Sequence, residues 1–455
     1  MKKNKVLLKG GRVLTMDKHL GNFKKADILI TGDTIASVGI ALDAEEAEVI
    51  DASQMIVMPG LIDTHRHLWE SSLKGIAADW SLLQYLQHVL GPLAASFRPE
   101  DVYTANLLGA LEALNAGITT VFDWSHIMNT PDHADEAIRG LREAGIRAKF
   151  GYGTPGLSVW EWFYESQLTH PEDARRLRSS YFASDDQLVT MAMAIRGPEY
   201  ATMDVSRNDI ALARDLSLQM SMHIGSGSFG PKYNAIGKLH TAGLLGADMN
   251  FAHCNTLTDA DFKLLAAYGC SVSITPEIEM QMGLGFPATG RALANGIRPS
   301  LGVDVVTGTG GDLFSQMKIA LQTERALQNE KILQQGEMPQ SINLTVWDAL
   351  QFATQNGAEA LNLGRKIGTL TPGKQADIIM IDASAINLAP VHDPAAAVVL
   401  YANPSNVDTV FVAGRAVKRN GHLLHHDLNA LQQKAMSSRN YLLEKVEALE
   451  KASLA

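Results

Sequence analysis

Two histidines separated by one residue form the part of this sequence best suited to chemistry. His65 and His67 follow a Pro-Gly pair at the end of an apolar run. In a β-strand successive side chains point to opposite faces, so these two histidines share one face while Arg66 points away. Two imidazoles on one face can bind a single divalent metal ion. A lone His-x-His pair also arises by chance, so the pair alone leaves a structural role open.

Three more residues able to bind metal each end an apolar, strand-like run: His223, His253 and Asp304. Gly, Asn, Ser or Thr follows soon after each, as expected where a strand gives way to a loop. Taken singly, each has an ordinary interpretation, as a buried core histidine or as an Asp that caps the next helix. Their shared position at the ends of successive strands favours a common site. In a β/α barrel those ends form one face, and active sites lie on it.

The elements that must position these residues follow from periodicity. Strand-like and helical segments alternate through the middle of the chain, as βα repeats require. Strands are predicted to begin near Gly60, Thr119, Arg147, Leu188, Leu218, Asp248, Cys270 and Arg298, with helices over 100–116, 132–144, 206–216, 259–268 and 345–361. The pattern predicts an α/β fold, a (β/α)8 TIM-type barrel that spans residues 58–365.

Both flanks of the barrel region consist of short strand-like pieces separated by turn residues. These pieces span residues 5–8, 12–16, 26–31, 34–39, 47–51, 376–381, 407–413 and 415–419. They are predicted to pair into one small β-sandwich domain formed from both chain ends, residues 1–57 and 366–426. Residues 427–455 are predicted to form a C-terminal helix that packs on the barrel or on a second subunit, because their apolar residues recur at helical spacing without a strict heptad.

Composition narrows the class of protein. The 455 residues are 46% hydrophobic and carry a net charge of -10, which argues against nucleic acid or an anionic membrane as partner. No apolar run approaches the length of a membrane span, and the apolar stretch near the N-terminus is too short for a signal-peptide core. Two cysteines, Cys254 and Cys270, make no disulfide framework. Cys254 is expected to face away from His253 and to pack. The composition therefore agrees with a soluble enzyme, and the cytoplasm is the expected compartment.

Together these motifs resemble the amidohydrolase superfamily, and most of all its branch with cytosine deaminase, the adenosine-type deaminases and the triazine hydrolases. The resemblance covers nearly the whole chain: residues 59–67, 117–121, the ordered series His223, His253 and Asp304, then residues 368–378 and 410–415. It implies a metal-dependent hydrolase that breaks a carbon–nitrogen bond, by deamination or amide-type attack, in a small cyclic or aromatic nitrogen compound. It also implies a homodimer or larger homo-oligomer, but it names no substrate.

The donor types and the resemblance together predict the ligand set. His65, His67 and His223 would supply nitrogen and Asp304 oxygen, a combination that suits zinc, with iron or manganese as alternatives. A metal ion in such a site activates water at neutral pH. Asp304 could take the proton of that water and pass it to the leaving group. The resemblance places His253 beside the water or the substrate oxygen, where it would orient the nucleophile or stabilise developing charge.

One position departs from the family. The deaminases carry a Glu three residues after the strand-five histidine, where it shuttles protons to the ring nitrogen, and this chain has Ser226 there. A hydroxyl of ordinary acidity cannot replace a carboxylate shuttle. Glu277 is predicted to supply the missing carboxylate from a neighbouring strand end, with Glu279 as the second candidate. The alternative is that both are solvated glutamates at a helix start, where the helix dipole favours acidic residues.

Substrate contacts are predicted on the loops that follow the strands: Trp69, His126, Arg196 and Ser226. Aromatic faces stack well on flat heterocycles. Arg196 could offer a cation to a carboxylate or carbonyl, and a structural ion pair is its alternative. Two other function classes stay open, a non-catalytic metal-binding barrel and a hydrolase that removes a non-amine leaving group from a heterocycle. Retention of every ligand type favours an enzyme.

Overall fold

The computed structural model describes residues 4–453 of the chain. It divides into two compact units. One comprises the chain up to residue 64 together with 111–120 and 312–426, and the other comprises 65–110, 121–311 and the chain from 427 onward. The predicted domain division into 1–57 with 366–426, 58–365 and 427–455 stays a prediction.

Strands from both chain ends build one mixed sheet in the first unit. The N-terminal strands are β1 (Lys5–Val13), β2 (Phe23–Thr31), β3 (Thr34–Gly39), β4 (Glu48–Asp51) and β5 (Met55–Pro59). Strands β14 (Ile378–Asp382), β15 (Val407–Val412), β16 (Arg415–Arg419) and β17 (His422–Leu423) follow the barrel. Within residues 4–453 the sheet runs β17-β16-β15-β14-β5-β1-β2-β3, and β4 pairs with β1. Both flanks therefore contribute to one small β domain, as predicted.

Alternating side chains of this sheet form its core. Val6 and Leu8 on β1, Ile28 and Ile30 on β2, and Ile378 on β14 are all buried in one cluster. Residues two apart on a strand point to the same face, so this spacing directs one face of each strand inward. The same alternation made the strands recognisable in the sequence.

A second sheet forms the predicted barrel. Its strands are β6 (Leu61–Arg66), β7 (Ile118–Ser125), β8 (Arg147–Tyr152), β9 (Val189–Ala194), β10 (Met220–Ile224), β11 (Met249–His253), β12 (Ser271–Ile274) and β13 (Ser300–Leu301), in sequential order within the described chain. Asp304 closes the ring, because its amide donates to the carbonyl of His65 at 2.8 Å and its carbonyl accepts from the amide of His67 at 2.9 Å. Every residue of β6, β7, β9 and β11 is buried, as expected for parallel strands covered on both faces.

Helices follow the barrel strands or join them. In chain order they are α1 (Leu82–His88), α2 (Ala94–Ser96), α3 (Pro99–Asn115), α4 (Pro131–Ala144), α5 (Val159–Phe163), α6 (Asp173–Ser180), α7 (Met203–Asp215), α8 (Phe229–Tyr233), α9 (Ala235–Thr241), α10 (Asp259–Ala267), α11 (Pro276–Gln281), α12 (Thr289–Ala294), α13 (Leu313–Leu333), α14 (Val346–Phe352), α15 (Gln355–Ala360), α16 (Pro394–Ala396) and α17 (Leu428–Ser453). In the part of the chain that the structure describes, no helix combines the length and apolarity needed to cross a membrane.

The C-terminal helix α17 packs on the segment that follows β6. It contacts the 3-10 helix Leu68–Leu73, the π-helical turn Val89–Leu93 and α2. The buried side chains of α17 recur three and four residues apart, at Leu431, Ala435, Ser438 and Leu442, as one face of a helix requires. The helix therefore supports the long loop between β6 and α3.

Candidate metal centre and active site

Four side chains of the predicted ligand set meet at the C-terminal ends of the barrel strands. His65, His67, His223 and Asp304 each place a ligand atom within 4.8 Å of all the others. Asp304 Oδ1 lies 3.3 Å from His65 Nε2 and 3.1 Å from His67 Nε2. The Nε2 atoms of His67 and His223 are 3.3 Å apart. Three neutral nitrogen donors and one carboxylate at this spacing fit a divalent ion such as zinc.

The backbone adopts left-handed conformations at the two strand ends that carry this chemistry. Asp304 has a φ of 68°, and His253 has a φ of 76°. Neither residue is a glycine, so each such conformation costs about 1–3 kcal/mol, and strain of this kind clusters at functional sites. The turn after β13 lets Asp304 pair with the backbone of β6 and direct its carboxylate toward His65 and His67.

Burial and mutual charge set the protonation of the ligand set. Burial lowers the pKa of His65 to about 4 and holds the pKa of His223 well below its usual value. Burial would raise the pKa of Asp304, but hydrogen bonds with His65 and His67 hold it well below its usual range. Burial also opposes a proton on His67, yet Asp304 outweighs it and raises the pKa of His67. A metal ion and a proton would therefore compete for His67.

Two neighbours orient His67. Its Nδ1 lies 2.6 Å from the carbonyl oxygen of Trp124 on β7, so Nδ1 donates and leaves Nε2 directed at the ligand cluster. The ring of His126 stacks on that of His67, with 4.3 Å between centroids. Trp69 is fully buried and its indole N–H donates to His126 Nδ1 at 3.0 Å. Trp69 thus holds His126, and His126 packs on a ligand.

His253 lies beside the cluster and is tied to a glutamate from the next strand end. Its Nε2 is 3.8 Å from Asp304 Oδ2, while its Nδ1 is 3.1 Å from Thr275 Oγ1 and 3.4 Å from Glu279 Oε1. Burial lowers the pKa of His253, but the hydrogen bond with Glu279 and the charge of Asp304 give a net rise. His253 therefore holds a proton more readily than an isolated buried histidine.

Of the two glutamates predicted near strand seven, Glu279 is the one brought to His253. Helix α11 begins at Pro276 directly after β12, and its first turn carries Glu279 back over Thr275, whose amide donates to Glu279 Oε1 at 2.8 Å. Glu279 is fully buried. Glu277 is half-buried on the same helix.

A buried acid outside the predicted site residues, Glu70, lies three residues after His67. Glu70 Oε1 accepts a hydrogen bond from the Tyr85 hydroxyl at 2.5 Å, and Thr307 Oγ1 lies 3.3 Å from Glu70 Oε2. Burial raises the pKa of Glu70 to about 7. Glu70, His67 and His126 form a second group of close ligand atoms, but it shares His67 with the first and so belongs to the same site. The His-x-His-x-x-Glu spacing was the available signal.

A second unselected acid lies behind Ser226. Glu199 Oε1 accepts from the amide of Gly225 at 2.8 Å, and its Oε2 accepts no hydrogen bond from any described residue. Burial raises the pKa of Glu199 to about 7. The adjacent Tyr200 shares a side-chain hydrogen bond with Ser226. Glu199 therefore holds the backbone of the loop after β10 at Gly225, and Tyr200 contacts the side chain of Ser226 in the same loop.

Arg196 forms a structural ion pair, which was the alternative to its predicted role in substrate binding. Its guanidinium is buried, lies 2.7 Å from Ser166 Oγ and 3.3 Å from Asp209, and stacks over the ring of Trp162 at 4.9 Å. It also donates to the carbonyl of Leu168. These contacts fix the loop around α5, so a substrate role for Arg196 stays a prediction without support from its surroundings.

A cavity opens over the cluster formed by His65, His67, His223 and Asp304. Its base consists of His67, His223, His253 and Asp304, and its walls are Leu82, Tyr85, Leu86, Leu90, His126, Phe163, Tyr200, Ser226, Met282, Leu284 and Val305. Two predicted substrate contacts, His126 and Ser226, line it. Trp69, Arg196 and Glu277 are not among the described residues that do.

Comparison with known proteins places the chain among hydrolases. The model of the amidohydrolase family matches residues 56–417. A 5-methylthioadenosine/S-adenosylhomocysteine deaminase from Pyrococcus abyssi is 28% identical, over 93% of this chain and 96% of its own. A 5'-deoxyadenosine deaminase from Methanosarcina mazei is also 28% identical, over 97% of this chain and 99% of its own.

Solved structures share the fold. An adenosine deaminase from Xanthomonas campestris with bound zinc superposes with a TM-score of 0.84 at 23% identity, covering 97% of this chain and 99% of that one. An atrazine chlorohydrolase from Arthrobacter aurescens, complexed with zinc, gives 0.83 at 22% identity, covering 95% and 100%. The predicted barrel with a small β domain is confirmed, and so is the predicted class, a hydrolase of carbon–nitrogen bonds other than peptide bonds. The family match spans most of the sequence, and the chain belongs to the amidohydrolase family.

Proposed function

We propose that this chain hydrolyses a carbon–nitrogen bond in a small nitrogen heterocycle, with one divalent ion held by His65, His67, His223 and Asp304. The observation that carries the proposal is the convergence of these four donors within 4.8 Å at the base of a cavity. Zinc is the proposed metal because imidazole and carboxylate donors are among its usual ligands, and iron or manganese are the alternatives.

When bound, such an ion activates water for attack near neutral pH. Asp304 is the proposed proton carrier, because one carboxylate oxygen lies among the histidines and the other faces His253 across 3.8 Å. It would accept the proton of the attacking water and deliver it to the leaving nitrogen. Water oxygen thereby joins the ring carbon, the carbon–nitrogen bond breaks, and the amine leaves with the transferred proton.

His253 is the proposed stabiliser of charge on the atom attached to the attacked carbon. Its Nδ1 faces Thr275 and Glu279, so Nε2 is the nitrogen directed toward Asp304 and the cavity. A protonated imidazole there can donate a hydrogen bond to an atom that gains negative charge. Glu279 is proposed as a positioning residue that keeps His253 oriented and protonated. Glu277 remains the other candidate for a catalytic carboxylate.

Release of ammonia is the reaction proposed first, since the curated relatives are named as deaminases. One observation favours a second candidate, loss of a non-amine leaving group from the same class of ring. Ser226 lines the cavity and stands where the resemblance to the deaminases leads us to expect a glutamate, and the hydroxyl of Tyr200 lines the cavity beside it. Neither hydroxyl can shuttle protons as a carboxylate does, and a leaving group that departs as an anion needs no such shuttle.

The proposal is tested by metal content and product release on the same preparations. The protein would be loaded with zinc, its metal measured by mass spectrometry, and ammonia assayed against amino-substituted pyrimidines, purines and triazines. We expect one ion per subunit, and loss of metal and activity together in the double variant His65→Ala, His67→Ala. His19→Ala, at an exposed histidine, is the matched control. Full metal occupancy in the double variant would overturn the ligand assignment.

We also propose a homodimer or larger assembly in the cytoplasm, with no nucleic acid or membrane partner. Exposed apolar side chains on α17 support the assembly: Met436 is 56% exposed, Leu443 41% and Leu449 47%. Burying such residues against a second copy is favourable. Light scattering at micromolar concentration tests the assembly, and a monomeric mass would count against it.

A further inference from the structure

The cavity above the ligand cluster has an apolar wall. Leu82, Tyr85 and Leu86 come from α1, and Leu90 from the turn that follows it. Phe163, Met282, Leu284 and Val305 add further apolar lining, and the carbonyl of Met282 accepts from the amide of Leu82 at 3.0 Å. Burying apolar ligand surface against such a wall stabilises the complex by about 25 cal/mol per Å². The wall therefore favours a ligand whose substituents are themselves apolar.

Polar groups are scarce beyond the cluster. Among the described residues that line the cavity, Asp304 is the one acidic side chain, and none is Lys, Arg, Asn or Gln. The hydroxyl of Tyr85 already donates to Glu70, and that of Tyr200 shares a hydrogen bond with Ser226. The wall thus offers no cation to an anionic substrate and no free carboxylate to the hydroxyls of a sugar.

From this lining we infer that the site takes a neutral nitrogen heterocycle that carries alkyl or aryl substituents, and rejects the same ring carrying a ribose or a phosphate. The inference rests on the proposed function, since it specifies the substrate of the same site. Ribose hydroxyls buried against leucine and methionine lose their bonds to water without replacement, which opposes binding. An alkyl group of similar size has no such loss.

Contacts within α1 and between the following turn and α17 brace the wall. Leu82, Tyr85 and Leu86 sit on α1, whose Ser81 cap forms reciprocal hydrogen bonds with Gln84. The turn Val89–Leu93, which contributes Leu90, packs against α17. A wall braced in this way cannot turn polar groups toward a sugar, and it orders few side chains when an apolar ligand binds. Selectivity should therefore appear in binding as well as in turnover.

The test uses matched pairs of probes. Adenine, cytosine, guanine and an amino-1,3,5-triazine would each be prepared with a propyl and with a ribosyl substituent, and their binding to the zinc-loaded protein measured by calorimetry. For every ring that binds, we expect the propyl form to bind at least about tenfold more tightly, since one unpaired buried hydroxyl suffices for that ratio. Tighter binding of any ribosyl form, or no binding of any propyl form up to about 1 mM, would overturn the inference.

The wall can be tested directly on one helix. Leu86→Asn places an amide in the cavity wall and should reduce the propyl preference, whereas Leu83→Asn, at a side chain 59% exposed on the same helix, should leave it unchanged. The comparison of wild-type affinities stands even if Leu86→Asn fails to fold. A propyl preference in binding with no product from any ring would overturn the proposed reaction and keep this inference. Product formed from the ribosyl-substituted rings alone would support the proposed reaction and overturn this inference.

Discussion

Glu279→Gln tests whether the carboxylate beside His253 contributes to catalysis. Gln has nearly the same shape and keeps an oxygen that can accept from the Thr275 amide, now 2.8 Å from Glu279 Oε1. The variant therefore removes a charge and little else. Glu279 raises the pKa of His253 against the effect of burial, so without it His253 should lose its proton at lower pH.

The size of the effect follows from the contact. A hydrogen bond to a charged group contributes about 1.5–3 kcal/mol, and the Nδ1–Oε1 distance of 3.4 Å places this one at the weak end. A loss near 1.4 kcal/mol corresponds to a tenfold fall in turnover. The proposed role of His253 requires its protonated form. The fall of activity at high pH should therefore begin at a lower pH in the variant. Metal content should be unchanged, since Glu279 is not in the ligand set.

Glu277→Gln is the matched variant, because it makes the same chemical change on the same helix. The assay is kcat and KM across pH for both variants, with metal content measured on each sample. The contacts of His253 predict that Glu279→Gln loses about tenfold in kcat and Glu277→Gln less than about twofold. A tenfold loss in Glu277→Gln with a normal Glu279→Gln would refute this reasoning and support the assignment made first from the sequence.

Three further predictions concern stability and metal. Glu199→Gln should stabilise the protein above pH 7 by about 3 kcal/mol at most, because burial raises the pKa of Glu199 from 4.5 to about 7 and ionisation of the carboxyl then opposes folding. The gain in unfolding free energy should grow between pH 4.5 and 7 and vanish below pH 4.5. Urea unfolding at several pH values checks this prediction. Leu442→Ala, at a fully buried side chain of α17, should cost about 2–5 kcal/mol of unfolding free energy, whereas Leu443→Ala, 41% exposed, should change it by less than about 0.5 kcal/mol. Asp304→Asn should lower zinc content and turnover together, and full zinc with lost turnover would remove Asp304 from the ligand set.

The barrel was predictable because each of its signals is local. Strand-like runs ending in His67, His223, His253 and Asp304 alternate with helical segments, and the order of strands then follows from chain order. Errors occurred where local patterns are ambiguous. Residues 5–8 and 12–16 were predicted as separate strands, but β1 runs continuously with register shifts around Gly11. A glycine pair there indicated a turn, and the structure uses it for bulges.

The helix predicted over 345–361 is also divided. Its apolar periodicity is correct for α14 and for α15, but the two are separated at Thr354, whose φ of -131° and ψ of -90° are not helical. No proline or glycine precedes this break in the sequence. Its cause is therefore tertiary, and periodicity alone cannot reveal it.

The supporting contacts of the site were harder to predict than the ligand set. His65, His67 and Asp304 have chemically distinctive side chains at strand ends, whereas the group that orients His67 is a backbone carbonyl, that of Trp124. Every residue offers such a carbonyl, so no residue type identifies it. The hydroxyl of Tyr85 reaches Glu70 only because the loop after β6 folds back on itself.

The choice between Glu277 and Glu279 depends on helix geometry that the sequence leaves undetermined. Side chains two residues apart on an α-helix point in directions that differ by about 200°, so only one of these two glutamates can face the barrel. Both follow Pro276, and either is acceptable to the helix dipole. The point at which β12 ends decides which glutamate faces inward. Because Thr275 is the last residue before the helix, its amide meets the carboxylate of Glu279, four residues later. The catalytic hypothesis for strand seven thus depends on one hydrogen bond, and the paired glutamine variants test it.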